Sequence, residues 1–176
     1  RFSDIKTRSE ISIGSHIGKT SFELPIISSP MDTVTGGRMA CAMDKQGGVA
    51  VIHRYNTIQE QAKIVAEVRM SGHQVGAAIG VGDTFIDRAK ALVEAGVNFL
   101  CVDVAHGHHT KVRYALQVLK NTFGDEFHIM AGNVATLEAF NDLADWGADS
   151  IRVGIGGGSI CSTRIQTGHG MPTLQS

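Results

Sequence analysis

No sign of charge dominates this sequence: 16 lysines and arginines stand against 17 aspartates and glutamates, a formal net charge of −1. So even a balance excludes a general electrostatic grip on nucleic acid or on acidic membranes. No apolar run approaches the roughly 20 residues needed to cross a bilayer. The N-terminus opens on Arg1 and lacks the layout of a signal peptide. Cysteine is confined to Cys41, Cys101 and Cys161, far apart and with no CxxC pair. Neither a disulfide framework nor a zinc ribbon is indicated, and a reducing, cytoplasmic setting is expected. Proline is scarce, at 3 residues against 21 glycines, so glycine supplies the punctuation.

What remains is an ordinary globular composition. The chain has 176 residues, 43% apolar and 19% charged, enough for a single domain over 1–176 with a real core. Apolar runs that read as strands begin near Pro25, Val49, Val75, Phe99, His128 and Ile151. They lack clean alternation, which predicts strands buried on both faces, as in a parallel sheet. Helical stretches lie between them. Arg38 to Gln46 forms the first, ended by Gly47 and Gly48. Thr57 and Glu60 have the spacing of a capping box, followed by Ile58, Ala62, Val65 and Val68 on one face. Thr84 opens the next, with Ile86, Ala89, Leu92 and Val93 inward and Gly96 as the stop. Val112, Ala115 and Leu119 mark another; Leu137, Phe140, Leu143 and Ala144 mark the last, closed by Gly147. Strand starts recur every ~22 to ~30 residues, the size of one βα unit. That period fits either a doubly wound open sheet or a closed barrel, and a barrel of eight needs roughly 250 residues.

Polar and glycine-rich segments follow the strands. They are Ser28 to Thr33, His53-Arg54, Asp103 to His109, Asn133, and Gly154 to Thr163. In a parallel barrel such strand ends open on one face, the face that carries active sites. In the last segment, GIGGGSICST, the glycines free the backbone and bring amides close to a ligand. An isolated cysteine is most often a small buried filler. Cys161, exposed on a flexible polar loop, instead reads as a thiolate nucleophile. Gly80-Val-Gly82 does not complete a GxGxxG fingerprint with a following acid, so a Rossmann site is not indicated. His106, His108 and His109 lack a carboxylate or cysteine partner at zinc-like spacing, so a polar loop is preferred over a metal site there.

These segments resemble one family. VGIGGGSICSTR resembles the catalytic loop of IMP dehydrogenases and GMP reductases. SSPMDTVT, GGVAVIHR, VGAAIGVG, VDVAHGH and AGNVAT resemble that family's other landmarks, in order, from about Arg8 to Gln175. The resemblance implies a (β/α)8 TIM barrel, of which this chain covers about the first six βα units. It implies that Cys161 adds to purine C2 and that Thr163 lines the base pocket beside it. Ser29 and Ser159 match phosphate contacts, Met31 a contact beneath the nucleotide, and Gly158 part of the substrate loop. Asp103 and Asn133 match positions on the nicotinamide–ribose side, and the carbonyls of Gly156, Gly158 and Cys161 match part of a potassium site. The implied partners are a purine 5′-monophosphate and NAD (or NADP in a reductase) in a homotetramer, with no nucleic acid and no membrane. The paired regulatory module that many dehydrogenases insert between strands two and three is missing: Arg69 leads to Val75 directly. The phosphate loops after strands seven and eight are also missing, so the chain is expected to be part of a longer polypeptide or a natural half-enzyme. SSPMDTVT, GGVAVIH, GAAIGVG and NVAT look more like dehydrogenases; the missing insert and Thr167-Gly168 look more like reductases. HGMPTLQ (169–175) fits neither well. Oxidation of IMP is the leading expectation, GMP reduction the alternative, and a non-catalytic nucleotide-binding or interaction protein the third.

Overall fold

The computed structural model describes residues 4–125 and 127–176. Six strands form one parallel sheet in sequence order: β3 (Ile27–Ser28), β4 (Val49–Ile52), β5 (Gly76–Ile79), β6 (Phe99–Asp103), β7 (Ile129–Val134) and β8 (Ser150–Val153). Every neighbouring pair is parallel. The order never reverses, which rules out a doubly wound sheet and leaves the curled sheet of a partial TIM barrel. Helices α1 (Gly37–Lys45), α2 (Ile58–Met70), α3 (Phe85–Glu94), α4 (Thr110–Phe123) and α5 (Leu137–Asp145) connect the strands. Two elements were not legible beforehand: an antiparallel hairpin, β1 (Ser15–Ile17) with β2 (Thr20–Phe22), and the short α6 (Thr163–Thr167).

Alternation along the strands is present but concealed, because both faces are apolar. Ala50, Ile52, Ala77, Ile79, Leu100, Val102, Ile129 and Ala131 turn outward and join the helices in the larger core. Val49, Val51, Ala78, Phe99, Cys101 and Met130 turn inward and form the smaller one. The hairpin completes the inner core, with Ile17 buried in it and Phe22 packed against it. Tight approach within the sheet falls on Gly76, where a β-carbon would come within 2.3 Å of the Phe99 ring.

The helices follow their local signals. Thr57 and Glu60 make the capping box, the Glu60 amide donating to Thr57 Oγ1 at 3.2 Å and the Thr57 amide to Glu60 Oε2 at 2.9 Å. Thr136 accepts from the Ala139 amide in the same manner. On α5 the buried positions are Ala139 and Leu143, while Leu137 and Phe140 face outward. On α2 the fully buried Gln61 was not anticipated. Its amide donates to the carbonyls of Ile52 and Ala78, at 3.4 and 2.8 Å, and its oxygen accepts from Arg88 at 2.7 Å. A polar residue so buried is tolerated because its hydrogen bonds are made, and it ties α2 to two strand ends and to α3.

At the hairpin end, His128 is half-buried, edge-on to Phe99, with its Nε2 2.9 Å from Ser150 Oγ. Burial holds its imidazole below the ordinary range, reinforced by Lys120 and His16 and opposed by Asp149. The folded chain therefore binds protons here less readily than the unfolded one. This contribution to stability is fully present above the usual imidazole value of about 6.5 and is lost as the pH falls through the lower folded value. Denaturant midpoints measured from pH 7 down to pH 5 should fall more steeply for the native chain than for His128→Gln; equal slopes would contradict the assignment.

Candidate active site

The C-terminal strand ends converge on one cavity of about 490 Å³. Its walls come from the β3 loop (Ser29, Pro30, Met31), the β4 loop (Arg54, Tyr55), the ends of β6 and β7 (Asp103, Asn133), and β8 with its loop (Arg152, Gly156, Gly158, Cys161, Thr163). Residues as far apart in sequence as Ser29 and Thr173 thus line one space, most of them because they stand where a parallel strand ends. Of the residues singled out from sequence, Cys161, Thr163, Ser29, Met31, Gly156, Gly158, Asp103 and Asn133 meet here. Ser159 does not line the cavity and is exposed.

Each wall is held by local bonds. Thr35, fully buried, donates from Oγ1 to the Ser29 carbonyl at 2.5 Å, and its amide donates to the Met31 carbonyl at 2.9 Å. The β3 loop is thereby folded back so that Met31 stands half-exposed at the cavity floor. Asn133 donates from Nδ2 to the Gly154 carbonyl at 2.9 Å, linking the β7 end to the start of the Cys loop. Asp103 is paired with Arg152, Nη1 to Oδ1 at 2.5 Å, and the same nitrogen lies 3.7 Å from Cys101 Sγ. Arg54 donates from Nε to the Asp103 carbonyl at 3.2 Å and stacks over Tyr55 at 5.3 Å. Arg54 belongs to the polar segment marked after its strand, whereas Arg152 and Tyr55 had not been assigned to the site. Arg152 carried a usable signal: it stands two positions from Ser150 on β8, in the inward register, where an apolar strand would not hold a cation without a partner.

The three thiols differ by environment. Cys101 is fully buried mid-strand, and burial pushes its thiol up to about 11. Cys41 lies half-buried on α1. Cys161 is held below the ordinary thiol range, first by a hydrogen bond from the Thr163 side chain, then by the Thr163 amide, with smaller contributions from the Arg164 charge and amide. A thiol shifted toward the thiolate on a cavity wall suits a nucleophile.

A second, mainly apolar cavity of about 430 Å³ adjoins the first and shares Ala105, Ile155 and Thr163 with it. Its further lining, His106, Ala135, Thr167, His169, Gly170 and Met171, could hold a flat heteroaromatic ring such as nicotinamide. Two of the three carbonyls matched to potassium are otherwise engaged. Gly156 and Gly158 both accept from the Arg164 guanidinium, and potassium on those oxygens would have to displace it. Of the loop histidines, His108 is bonded to Asp142 at 2.7 Å and stacked on Trp146.

A parallel half-barrel sheet with a cysteine on its sixth strand-end loop, set in the cavity wall, defines a barrel protein whose site gathers at the C-terminal strand ends. The chain matches the IMP dehydrogenase / GMP reductase domain over residues 1–176 and belongs to that family. Among curated relatives, inosine-5′-monophosphate dehydrogenase of Cryptosporidium parvum is 35% identical over 217 residues, covering 98% of this chain and 53% of the relative. GMP reductase of Paracidovorax citrulli is 33% identical over 168 residues, covering 94% and 51%. Inosine-5′-monophosphate dehydrogenase of Aquifex aeolicus is 41% identical over 134 residues, covering 75% and 27%. The chain thus spans about half the length, or less, of these relatives. The family is one of purine nucleotide oxidoreductases.

Proposed function

We propose that this chain is the catalytic core of an enzyme that oxidises IMP to XMP with NAD, through a covalent adduct of Cys161. The observation that carries the reading is Cys161 itself, a thiol that neighbouring hydrogen bonds hold below its ordinary range, facing the same cavity as Ser29 and Met31. In this reading the Cys161 thiolate adds to C2 of the purine, and Thr163, hydrogen-bonded to the sulfur, holds it in the reactive form. The nicotinamide cofactor, when bound, takes up the hydride that leaves C2. Hydrolysis of the resulting thioimidate by water releases XMP and restores the thiol. Met31 supports the base from below, while Ser29, with Gly158 of the Cys loop, serves the phosphate end. Arg54 adds positive charge to a cavity that receives an anion, whereas the charge of Arg152 is met by Asp103. Asp103 and Asn133 would serve the ribose of the cofactor, and potassium on the carbonyls of Gly156, Gly158 and Cys161 would compete with Arg164 for the first two. The protein's part is to align thiol, purine and acceptor and to keep stray water out.

GMP reduction is the second reading, and one comparison favours it. The reductase of Paracidovorax citrulli covers 94% of this chain within 168 aligned residues, whereas the dehydrogenase of Borreliella burgdorferi covers the same 94% only across 217. The dehydrogenase match requires an insertion that the reductase match does not. The two readings separate in one assay with the whole barrel present. IMP and NAD should yield NADH and XMP; consumption of GMP with NADPH to give IMP would establish the reductase. If neither reaction runs, a nucleotide-binding protein without catalysis becomes the better reading.

A further inference from the structure

Arg164 is the second residue of the short helix α6, three positions beyond Cys161, and its side chain turns back across the Cys loop. Nη1 donates to the carbonyls of Gly156 and Gly158, the latter at 2.5 Å, and Nη2 donates to the carbonyl of Ser159 at 3.2 Å. Three carbonyls drawn from four consecutive residues thus face one guanidinium. Oxygens so crowded repel one another unless a cation lies between them, and the planar fork of arginine meets several acceptors at once.

The packing around the arginine stem is independent of those bonds and points the same way. A β-carbon on Gly156 would lie 3.1 Å from Arg164 Cβ, and one on Gly170 would lie 3.2 Å from it. The stem is therefore flanked by two glycines, one before the cysteine and one after it. Gly156 also holds a φ of +72°, a conformation side chains rarely adopt. The amide of Met171 donates to the Ile155 carbonyl at 2.9 Å, fastening the following segment over the same loop. Two glycines that read as freedom in the sequence, Gly156 and Gly170, are in the fold the close-fitting seat of one side chain.

We propose that Arg164 is a positioning residue for the thiol: its guanidinium acts as the built-in cation of the Cys loop and holds Gly156 to Ser159 in the curve that sets Cys161 beside Thr163. The inference rests on the reading of Cys161 as nucleophile, and it adds that the thiol's reactivity depends on a side chain that does not touch the substrate. Two contributions to that reactivity run through Arg164: the loop geometry that lets Thr163 bond the sulfur, and the positive charge itself. The other charged groups lining the cavity are Arg54, Asp103 and Arg152, with Asp103 and Arg152 paired to each other.

The test needs no substrate. Alkylation of Cys161 by iodoacetamide at neutral pH, followed by peptide mapping, reports its reactivity in the 176-residue chain. Cys101, fully buried, is the internal control for folding: it stays unlabelled while the sheet is intact. Arg164→Ala should slow labelling of Cys161 by at least about five-fold, since the thiolate fraction controls the rate. Arg164→Lys, a point charge without the fork, should recover only part of it. Guanidinium chloride at about 20 mM, far below denaturing concentration, should restore labelling in Arg164→Ala, whereas tetramethylammonium chloride at equal ionic strength should not. Labelling in Arg164→Ala that stays within two-fold of the native chain, becomes faster, or responds equally to both salts overturns the proposal. If Arg164→Ala also exposes Cys101, Arg164→Gln decides the question by the same criteria. A positive result here with no IMP or GMP turnover in the whole enzyme would leave the clamp standing and remove only the proposed reaction.

Discussion

Cys161→Ala, made in an enzyme with the complete barrel, should lower turnover by at least about a thousand-fold, or about 4 kcal/mol of barrier stabilisation. Nucleotide affinity should change little, because the thiol acts in the chemical step and the cavity walls at Ser29, Met31 and the loop backbone remain. Cys161→Ser should be nearly as inactive, since a hydroxyl in that place is a far poorer nucleophile near neutral pH. Cys101 cannot substitute: burial pushes its thiol up to about 11, and no part of it is exposed. A purine nucleotide bearing a leaving group at C2 or C6 should label Cys161 in peptide mapping. Label found on Cys41 or Cys101, or a Cys161→Ala enzyme keeping roughly a tenth or more of its turnover, would remove the covalent mechanism.

The second large effect concerns stability. Gly76→Ala should destabilise the fold by at least about 3 kcal/mol, the upper range for overpacking a core. Its new methyl would meet the Phe99 ring at 2.3 Å, and Phe99 is wholly enclosed by the inner core and the hairpin. Relief should come from the other side of the contact. In Phe99→Leu the same glycine substitution should cost markedly less, and a double-mutant cycle in urea measures the difference. Additive effects of the two changes would show that strain elsewhere, not this contact, sets the role of Gly76.

Much of this architecture could be read in the chain. The strand starts near Val49, Val75, Phe99, His128 and Ile151 each fall within one residue of the observed strands, because a parallel βα repeat writes itself as apolar runs separated by glycine stops. The first strand shrinks to Ile27–Ser28, since the backbone after Ser28 turns into the loop that Thr35 holds. The hairpin over residues 15–22 escaped because its inward residues, Ile17, Thr20 and Phe22, sit among serine, glycine and lysine and carry no periodic signal. Gln61 escaped for a different reason: burial of an amide is decided by three partners on β4, β5 and α3, which only the tertiary fold assembles. At the site, residue type and position after a strand marked Cys161 and the segments that hold Met31, Asp103 and Asn133, whose roles came only with the resemblance. They could not reveal Arg152, which enters the cavity by strand register, or the Arg164 bridge, which depends on how the glycine loop curls.

The two ends of the sheet carry a consequence for binding. β3 and β8 lie at opposite edges and share no hydrogen bond, yet the loops that follow them, with Met31 on one and Cys161 on the other, face the same cavity. A ligand touching both would act as a clasp between edges that the backbone leaves unlinked. Its binding free energy would then appear as resistance to unfolding, growing as the logarithm of its concentration above the dissociation constant.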